Sequence, residues 1–536
     1  MDRKFILAAL FFMLFLTGYN QFVVLPRMQK QKQAEAAKQT EIANSQESLV
    51  TVASTSTNTA SVVKAEPASS SPEELFTFQA PTAEITFSSK GTGIKKFLFK
   101  DILGDVDLTP YAGEGYFATW PQVDFHETRR TKNSITFTGN LSGGVAINKT
   151  YRFDQNTING LEISLQNTTA QDITLAAFNI NFGPGLSTVK SELSDNERES
   201  KAVYLIQEEG KKHPTLVKFT QKDKSPASGQ DWIWAGLENR YFLSVLIPQN
   251  WTAGTLSTTK KPVTTKKRMW GLMGEATVQG PQLSIQVPQR TLAAHANETL
   301  KSDFYFGPKD YQLFEKLPYH LGRSIEFGFF GALGRLARNI LELFYSWTGN
   351  YGVAIIMLTI LLQACLFKFT QISLKSSAQM KKVQPEMKRL QEKYKGNPEL
   401  LNREMLALYQ KYKINPLAGC LPLLIQLPIF LALFNALRTS WSLHGAKFIW
   451  WITDLSSKDP YYILPVLMGV VMFFQQRSTM PAGMDPAQAA MFKYMPLIFT
   501  LLFMNFPSGL VLYWLTNSLI TFGIQTLVNK KLARAQ

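Results

Sequence analysis

Read for its alternation of apolar and polar positions, the chain divides into segments of different period. Between 76 and 307, period-two runs such as Glu84-Ile85-Thr86-Phe87, Ser134-Ile135-Thr136-Phe137 and Leu161-Glu162-Ile163-Ser164-Leu165 are separated by Gly, Asn and Asp clusters. Successive side chains of a strand point to opposite faces, so this pattern predicts a large all-β sandwich domain. From 329 to 347 the period becomes three and four. Phe329, Leu333, Leu336, Ile340, Leu343, Phe344 and Trp347 form one stripe, opposed by Arg335, Arg338, Asn339, Glu342 and Ser346. This predicts an amphipathic helix, within 308–348, that lies in a membrane interface; the same stripe also suits a helix packed on the sandwich.

Beyond 350 the charges vanish from four stretches, 351–367, 417–437, 461–476 and 494–529. Uncharged runs of this length belong in lipid. The last is too long for one helix and is interrupted by Pro507-Ser508-Gly509, so it predicts two spans joined by a turn. A further apolar segment, 5–25, follows Asp2-Arg3-Lys4 with no small-x-small cleavage site after it, and reads as an uncleaved anchor. The expected architecture is an α-helical membrane bundle of six transmembrane helices, five forming the core, with a large all-β sandwich outside the cytoplasm. Its parts are an anchor at 1–26 and a linker at 27–75, whose Gln, Lys, Ala, Ser and Thr content cannot bury a core. The sandwich at 76–307 and the interfacial region at 308–348 come next. A five-helix core at 349–529, including a helical hairpin at 370–414, and a short basic tail at 530–536 complete the chain.

Charge then orients this architecture. The formal net charge of +16 invites a nucleic-acid reading, but the basic residues gather beside the apolar runs. Residues 368–413 alone hold eleven Lys and Arg against four Glu, as a cytoplasmic loop should. Both termini are therefore expected in the cytoplasm, with no DNA partner. Within that loop, Met387, Leu390 and Tyr394 face Leu401, Met405, Leu408 and Tyr412 across Gly396-Asn397-Pro398. Lys381, Lys382, Lys388, Arg389, Lys393 and Lys395 cover its outside, and they suit a solvated loop and a ribosome-docking surface equally well. The two cysteines, Cys365 and Cys420, leave the sandwich without a disulfide, and the five scattered histidines have no metal-ligand spacing. No cofactor is expected. Trp232-Ile233-Trp234 and Phe304-Tyr305-Phe306 read as core rather than as a sugar platform.

Two runs carry more specific information. Asn415-Pro416-Leu417-Ala418-Gly419-Cys420-Leu421-Pro422 continues into Leu423-Leu424-Ile425-Gln426-Leu427-Pro428-Ile429-Phe430, placing three prolines and a glycine at the mouth of a span. They free backbone carbonyls that a simple anchor would leave bonded. Phe506-Pro507-Ser508-Gly509-Leu510 leads into Val511-Leu512-Tyr513-Trp514-Leu515-Thr516-Asn517, a second irregular entry with polar groups just inside. These two runs resemble the YidC/Oxa1/Alb3 family of membrane protein insertases, over about 350–530. The anchor and large β domain are most similar to the Gram-negative form, in which that domain is periplasmic.

The resemblance implies a bacterial inner-membrane location, and an insertase and chaperone without chemistry of its own. Nascent membrane proteins and lipids are its implied partners, and it works alone or beside the Sec translocon. It also implies a hydrophilic groove open to the cytoplasm and to lipid. Where the family carries a groove arginine in its first core span, this chain has Gln363, with Thr359 one turn above. The groove is then expected to hold water by hydrogen bonding rather than to attract acidic loops by charge. Lys368 lies five residues on, and Arg438 lies at the outer end. Gln426, Gln476, Tyr513, Trp514 and Asn517 are the other expected lining residues. A solute transporter or channel is the competing class, but it predicts intramembrane charge pairs or inverted repeats that are not seen. A glycan-processing β domain would need a carboxylate pair in a cleft.

Overall fold

The computed structural model describes residues 62–63, 72–109, 113–154, 158–193, 196–219, 232–251, 254–269, 272–394, 396–412, 421–479 and 486–534. The expected anchor at 1–26 and nearly all of the linker lie outside these described residues.

The period-two region forms a β sandwich. Its largest sheet has nine antiparallel strands in the order Thr215–Lys218, Lys201–Ile206, Trp232–Glu238, Phe242–Pro248, Asn297–Pro308, Asn159–Asn167, Val145–Arg152, Ser134–Leu141 and His126–Arg130. A four-stranded sheet, Leu75–Gln79 to Val106–Asp107, and a three-stranded sheet containing the long hairpin Leu256–Met269 and Leu272–Val287 complete the domain's main layers. Strand 242–248 reads as one apolar run because both of its faces are covered. Phe242 and Leu246 enter the main core with Phe304 and Phe306. Leu243, Val245 and Ile247 point the other way, into a second core with Trp234, Tyr305, Phe314 and Phe327. The two aromatic runs are thus core, as expected.

A buried ionic network ties the sandwich to the chain that leaves it. Glu238, 2% exposed, accepts from Lys309 Nζ at 2.7 Å and Lys218 Nζ at 2.8 Å. Lys218 also reaches Glu326 at 2.6 Å, and Lys309 donates to the Ser324 carbonyl. Burial pushes the Glu238 carboxyl up, but the two ammonium groups more than offset this and hold it below the usual carboxylate range.

Among the described residues eight α-helices follow: α1 (Tyr311–Lys316), α2 (Gly331–Thr348), α3 (Tyr351–Lys393), α4 (Pro398–Lys411), α5 (Leu421–Arg438), α6 (Ile463–Thr479), α7 (Pro486–Phe503) and α8 (Ser508–Arg534). In α2 the expected polar stripe is partly overturned. Arg338 is 2% exposed, pairing with Glu342 Oε1 at 2.9 Å, donating to Ser442 Oγ at 3.0 Å and lying over the Tyr311 ring. Leu336, Leu343 and Trp347 are exposed instead. The arginine is buried because Glu342 on its own helix pairs with it while Ser442 and the Tyr311 ring meet it from two neighbouring elements, which spacing on one helix cannot reveal.

The first core span and the first arm of the hairpin are a single helix. α3 has 43 residues and passes through Pro385 without ending, a length of about 65 Å at 1.5 Å per residue. Val383, Leu408, Met380, Met387, Leu390 and Tyr409 form the small α3–α4 core. Tyr409 takes the inner place expected of Tyr412, which is exposed and donates to Glu386 at 2.5 Å. Asn350 caps α3, accepting from the Gly352 and Val353 amides at 2.8 and 3.2 Å while its amide donates to the Phe448 carbonyl. Asn350→Ala is expected to cost about 1 kcal/mol or somewhat more, read as a lower thermal midpoint of the solubilised protein.

α3 and α8 each contain a stretch long and apolar enough to cross a membrane, Tyr351–Leu374 and Ser508–Lys530. The remaining apolar helical stretches, Gln426–Arg438, Ile463–Arg477 and Lys493–Phe503, are shorter. α7 and α8 flank the predicted break, and the first amides of α8, Ser508 and Gly509, donate to the Ser457 and Leu455 carbonyls. The segment between α5 and α6 therefore forms a cap over the starts of α3 and α8.

Through this cap the sandwich is joined to the helices. Arg240 pairs with Glu192, and its Nε donates to the carbonyl of Arg438, the last residue of α5, at 2.9 Å. Arg438 itself reaches Glu199 at 2.6 Å. Trp441 packs on Phe242, Tyr241 and Phe99, and stacks on His444, whose Nε2 lies 2.9 Å from Asp101 Oδ2.

Candidate functional site

Four of the polar residues expected inside the helices meet on α8, whose uncharged length lies against α3, α5 and α6. Tyr513, Asn517 and Gln525 step along it and meet different neighbours. Gln363 of α3 donates from Nε2 to Asn517 Oδ1. Gln426 of α5 donates to Tyr513 Oη at 2.7 Å. One turn above Gln363, Thr359 is fully buried and spends its hydroxyl on its own helix, donating to the Ile355 carbonyl at 2.7 Å. Trp514 packs edge-on against Phe430, with ring centroids 5.0 Å apart, and lies near Phe499 and Phe503.

Four of the expected polar residues are therefore brought together as two pairs, and each pair joins different helices. Gln476 is not part of them; it lies half-buried near the far end of α6. Gln525, which the sequence reading missed, sits near that level and donates to the Gln475 carbonyl at 3.4 Å. No local motif marks it. Only its position seven residues after Ser518, another buried polar residue of α8, hints that it faces inward.

Hydrogen-bond capacity left over distinguishes these carboxamides. Gln363 is 6% exposed and Gln525 is 2% exposed, yet the side-chain carbonyl oxygen of each has no partner among the described residues. A buried unpaired acceptor costs about 1–3 kcal/mol. Each is an open position for an incoming N–H, O–H or water. Gln363 is the thirteenth residue of α3, so it lies about 18 Å along the axis from that helix's N-terminal end. Lys368 is exposed on the same helix, and Arg438 is occupied at the seam by Glu199. α8 supplies hydrogen-bonding groups and no ion between 508 and 529.

On the hairpin, Lys382, Lys388, Arg389 and Lys393 are exposed, with Lys393 over the Tyr394 ring. Lys395 lies outside the described residues, as do 413–420 and with them the first part of the proline-rich run.

The family profile described as "60Kd inner membrane protein" matches residues 343–535, and that described as "YidC periplasmic domain" matches 106–337. The chain is 36% identical over 474 residues to the membrane protein insertase YidC of Endomicrobium trichonymphae, covering 86% of each. It is 31% identical to that of Geobacter metallireducens along the whole of both chains. Among solved structures, it is similar to one described as "Active YidC insertase crystal structure with the first transmembrane domain resolved", at 18% identity and a TM-score of 0.36, covering 86% of this chain and 94% of that one.

Proposed function

The chain belongs to the YidC family of membrane protein insertases, and on that premise we propose that it passes polar segments of its substrates along the carboxamide-bearing face of α8. It is an insertase of newly made membrane proteins rather than an enzyme, with a periplasmic β-sandwich domain and a place in the inner membrane among lipids. In our reading six spans cross that membrane: the segment at 5–25 together with α3, α5, α6, α7 and α8. Both termini and the α3–α4 hairpin face the cytoplasm, and α2 lies in the outer interface with Leu336, Leu343 and Trp347 toward lipid. The domain limits are those of the sequence reading. The exposed lysines of the hairpin, with Lys381 and Lys395, form the surface for a ribosome, and the Sec translocon is a second partner.

The unpaired carbonyl oxygen of buried Gln363 is the observation that carries this reading. A polar loop entering hydrocarbon loses its water, and each unsatisfied group costs several kcal/mol. Thr359, Gln363, Gln426, Gln476, Tyr513, Trp514 and Asn517 offer replacements part of the way across. α6, with 17 residues, spans about 26 Å. That is less than the roughly 30 Å hydrocarbon core, so the bilayer beside it thins and the remaining path shortens. Apolar substrate segments then leave sideways into lipid, driven by their own transfer free energy.

A photo-crosslinker at 363 or 514, present while a small membrane protein is translated, should capture nascent chains. Equal capture from an exposed hairpin position such as 388 would sink the groove reading. Gln363→Leu should lower insertion of substrates with polar translocated loops by roughly three- to tenfold, the worth of one hydrogen bond. The loss should be the same for acidic and neutral loops. A selective loss for acidic loops would mean that charge, supplied elsewhere, governs the step.

A further inference from the structure

The cap between α5 and α6 carries one feature that neither packing nor insertion explains. Phe448 to Ile452 form a tight turn, closed by the Phe448 amide donating to the Ile452 carbonyl at 2.9 Å. Trp450 at its tip has φ +50 and is 86% exposed. Bulky side chains rarely adopt this conformation, and here it holds the largest apolar side chain out of the protein. Ile449 beside it is exposed, as is Lys447.

A second apolar tip comes from the sandwich and reaches the same cap. The turn at 101–104 is closed by the Gly104 amide on the Asp101 carbonyl, and Asp101 is held by His444 of the cap. It presents Ile102, 82% exposed, and Leu103, 52% exposed, with Lys100 exposed just before them. The turn sits against Gly445, where a Cβ would come 2.7 Å from the Ile102 side chain. Both tips thus belong to the layer that covers the starts of α3 and α8. Both combine exposed aliphatic or aromatic side chains with a lysine, the composition that settles at the boundary of acyl chains and headgroups.

We propose that the Ile102–Leu103 tip and the Ile449–Trp450 tip insert into the outer leaflet, so that the sandwich is held by phospholipid as well as by the helices. The partner is the bilayer surface: the apolar tips take the acyl boundary, and Lys100 and Lys447 take lipid phosphates. Its level in the membrane rests on the cytoplasmic placement of the α3–α4 hairpin proposed above, which puts the cap at the opposite, outer side.

The test uses the full chain in nanodiscs of phosphatidylethanolamine and phosphatidylglycerol, with Cys365→Ser and Cys420→Ser. One cysteine at 102, 450, 347 or 388 carries an environment-sensitive fluorophore. Labels at 102 and 450 should be blue-shifted and quenched by lipids bearing a nitroxide near the glycerol, as at 347, while 388 stays water-like. Water-like, unquenched emission at 102 and 450 together with quenching at 347 overturns the anchor alone. Loss of quenching at 347 as well overturns the outer placement of the whole layer.

Discussion

Glu238→Ala is expected to destabilise the sandwich by about 3–5 kcal/mol, because it leaves the Lys309 ammonium buried without its carboxylate. For a domain of this size that lowers the thermal midpoint by roughly 10 °C or more, read from near-ultraviolet circular dichroism of the solubilised chain. Lys218 suffers less, since it is more exposed and keeps Glu326 at 2.6 Å.

The deficit should depend on pH in a definite direction. Burial already holds Lys309 below its ordinary range, although Glu238 opposes that shift. Without Glu238 the depression deepens, so between the folded and unfolded pKa the unfolded chain binds more protons, and stability rises with pH. The variant should therefore lose less at pH 9.5 than at pH 7. In the parent chain the depressed Glu238 carboxyl contributes stability that is fully present above the ordinary glutamate range. That contribution is lost as pH falls through its lower folded value. The double variant Glu238→Leu with Lys309→Met should recover most of the loss, since apolar replacement of a buried pair is often neutral. A double variant as unstable as Glu238→Ala would show that the pair itself stabilises the domain.

Arg240→Ala should have the next largest effect, about 3 kcal/mol, and it should act on the seam rather than on either half. The guanidinium neutralises Glu192, nearly buried, and donates to the last carbonyl of α5, where a cation also meets the negative end of the helix dipole. With it gone, spin labels placed on the sandwich and on α5 should show a broadened distance distribution. Arg240→Lys should not restore it, because an ammonium cannot reproduce the planar fork. By contrast, Arg438→Ala removes a half-exposed pair with Glu199 and should cost no more than about 1 kcal/mol. An unchanged distribution in Arg240→Ala would mean that the Trp441 aromatic cluster, the Arg438–Glu199 pair and the His444–Asp101 contact hold the seam without it.

What the chain reveals in advance follows the range of the interactions. The sandwich was legible because period two is a local property, and the apolar helices of the C-terminal region because charge depletion is one too. The candidate polar residues were legible as residue types, but their pairing was not: Gln363 and Asn517 are 154 positions apart. The seam depends on contacts such as Arg240 with Arg438, 198 positions apart, which leave no mark on either local pattern. Arg338 was read onto a polar stripe, yet its partners include Ser442, on the cap. Pro385 stands inside α3 without ending it. The helix continues because a proline removes one backbone bond, and packing such as that of Val383 and Met387 on Leu408 compensates.

That unbroken helix has a mechanical consequence. A rod of about 65 Å that carries a basic hairpin at one end and Gln363 along its shaft has the shape of a lever, with Asn350 fixing its N-terminal end to the cap. A load on the hairpin becomes a torque at the Gln363–Asn517 contact rather than being absorbed in a flexible loop. Pro385, which interrupts the hydrogen-bond ladder of α3, sets the compliance of that lever.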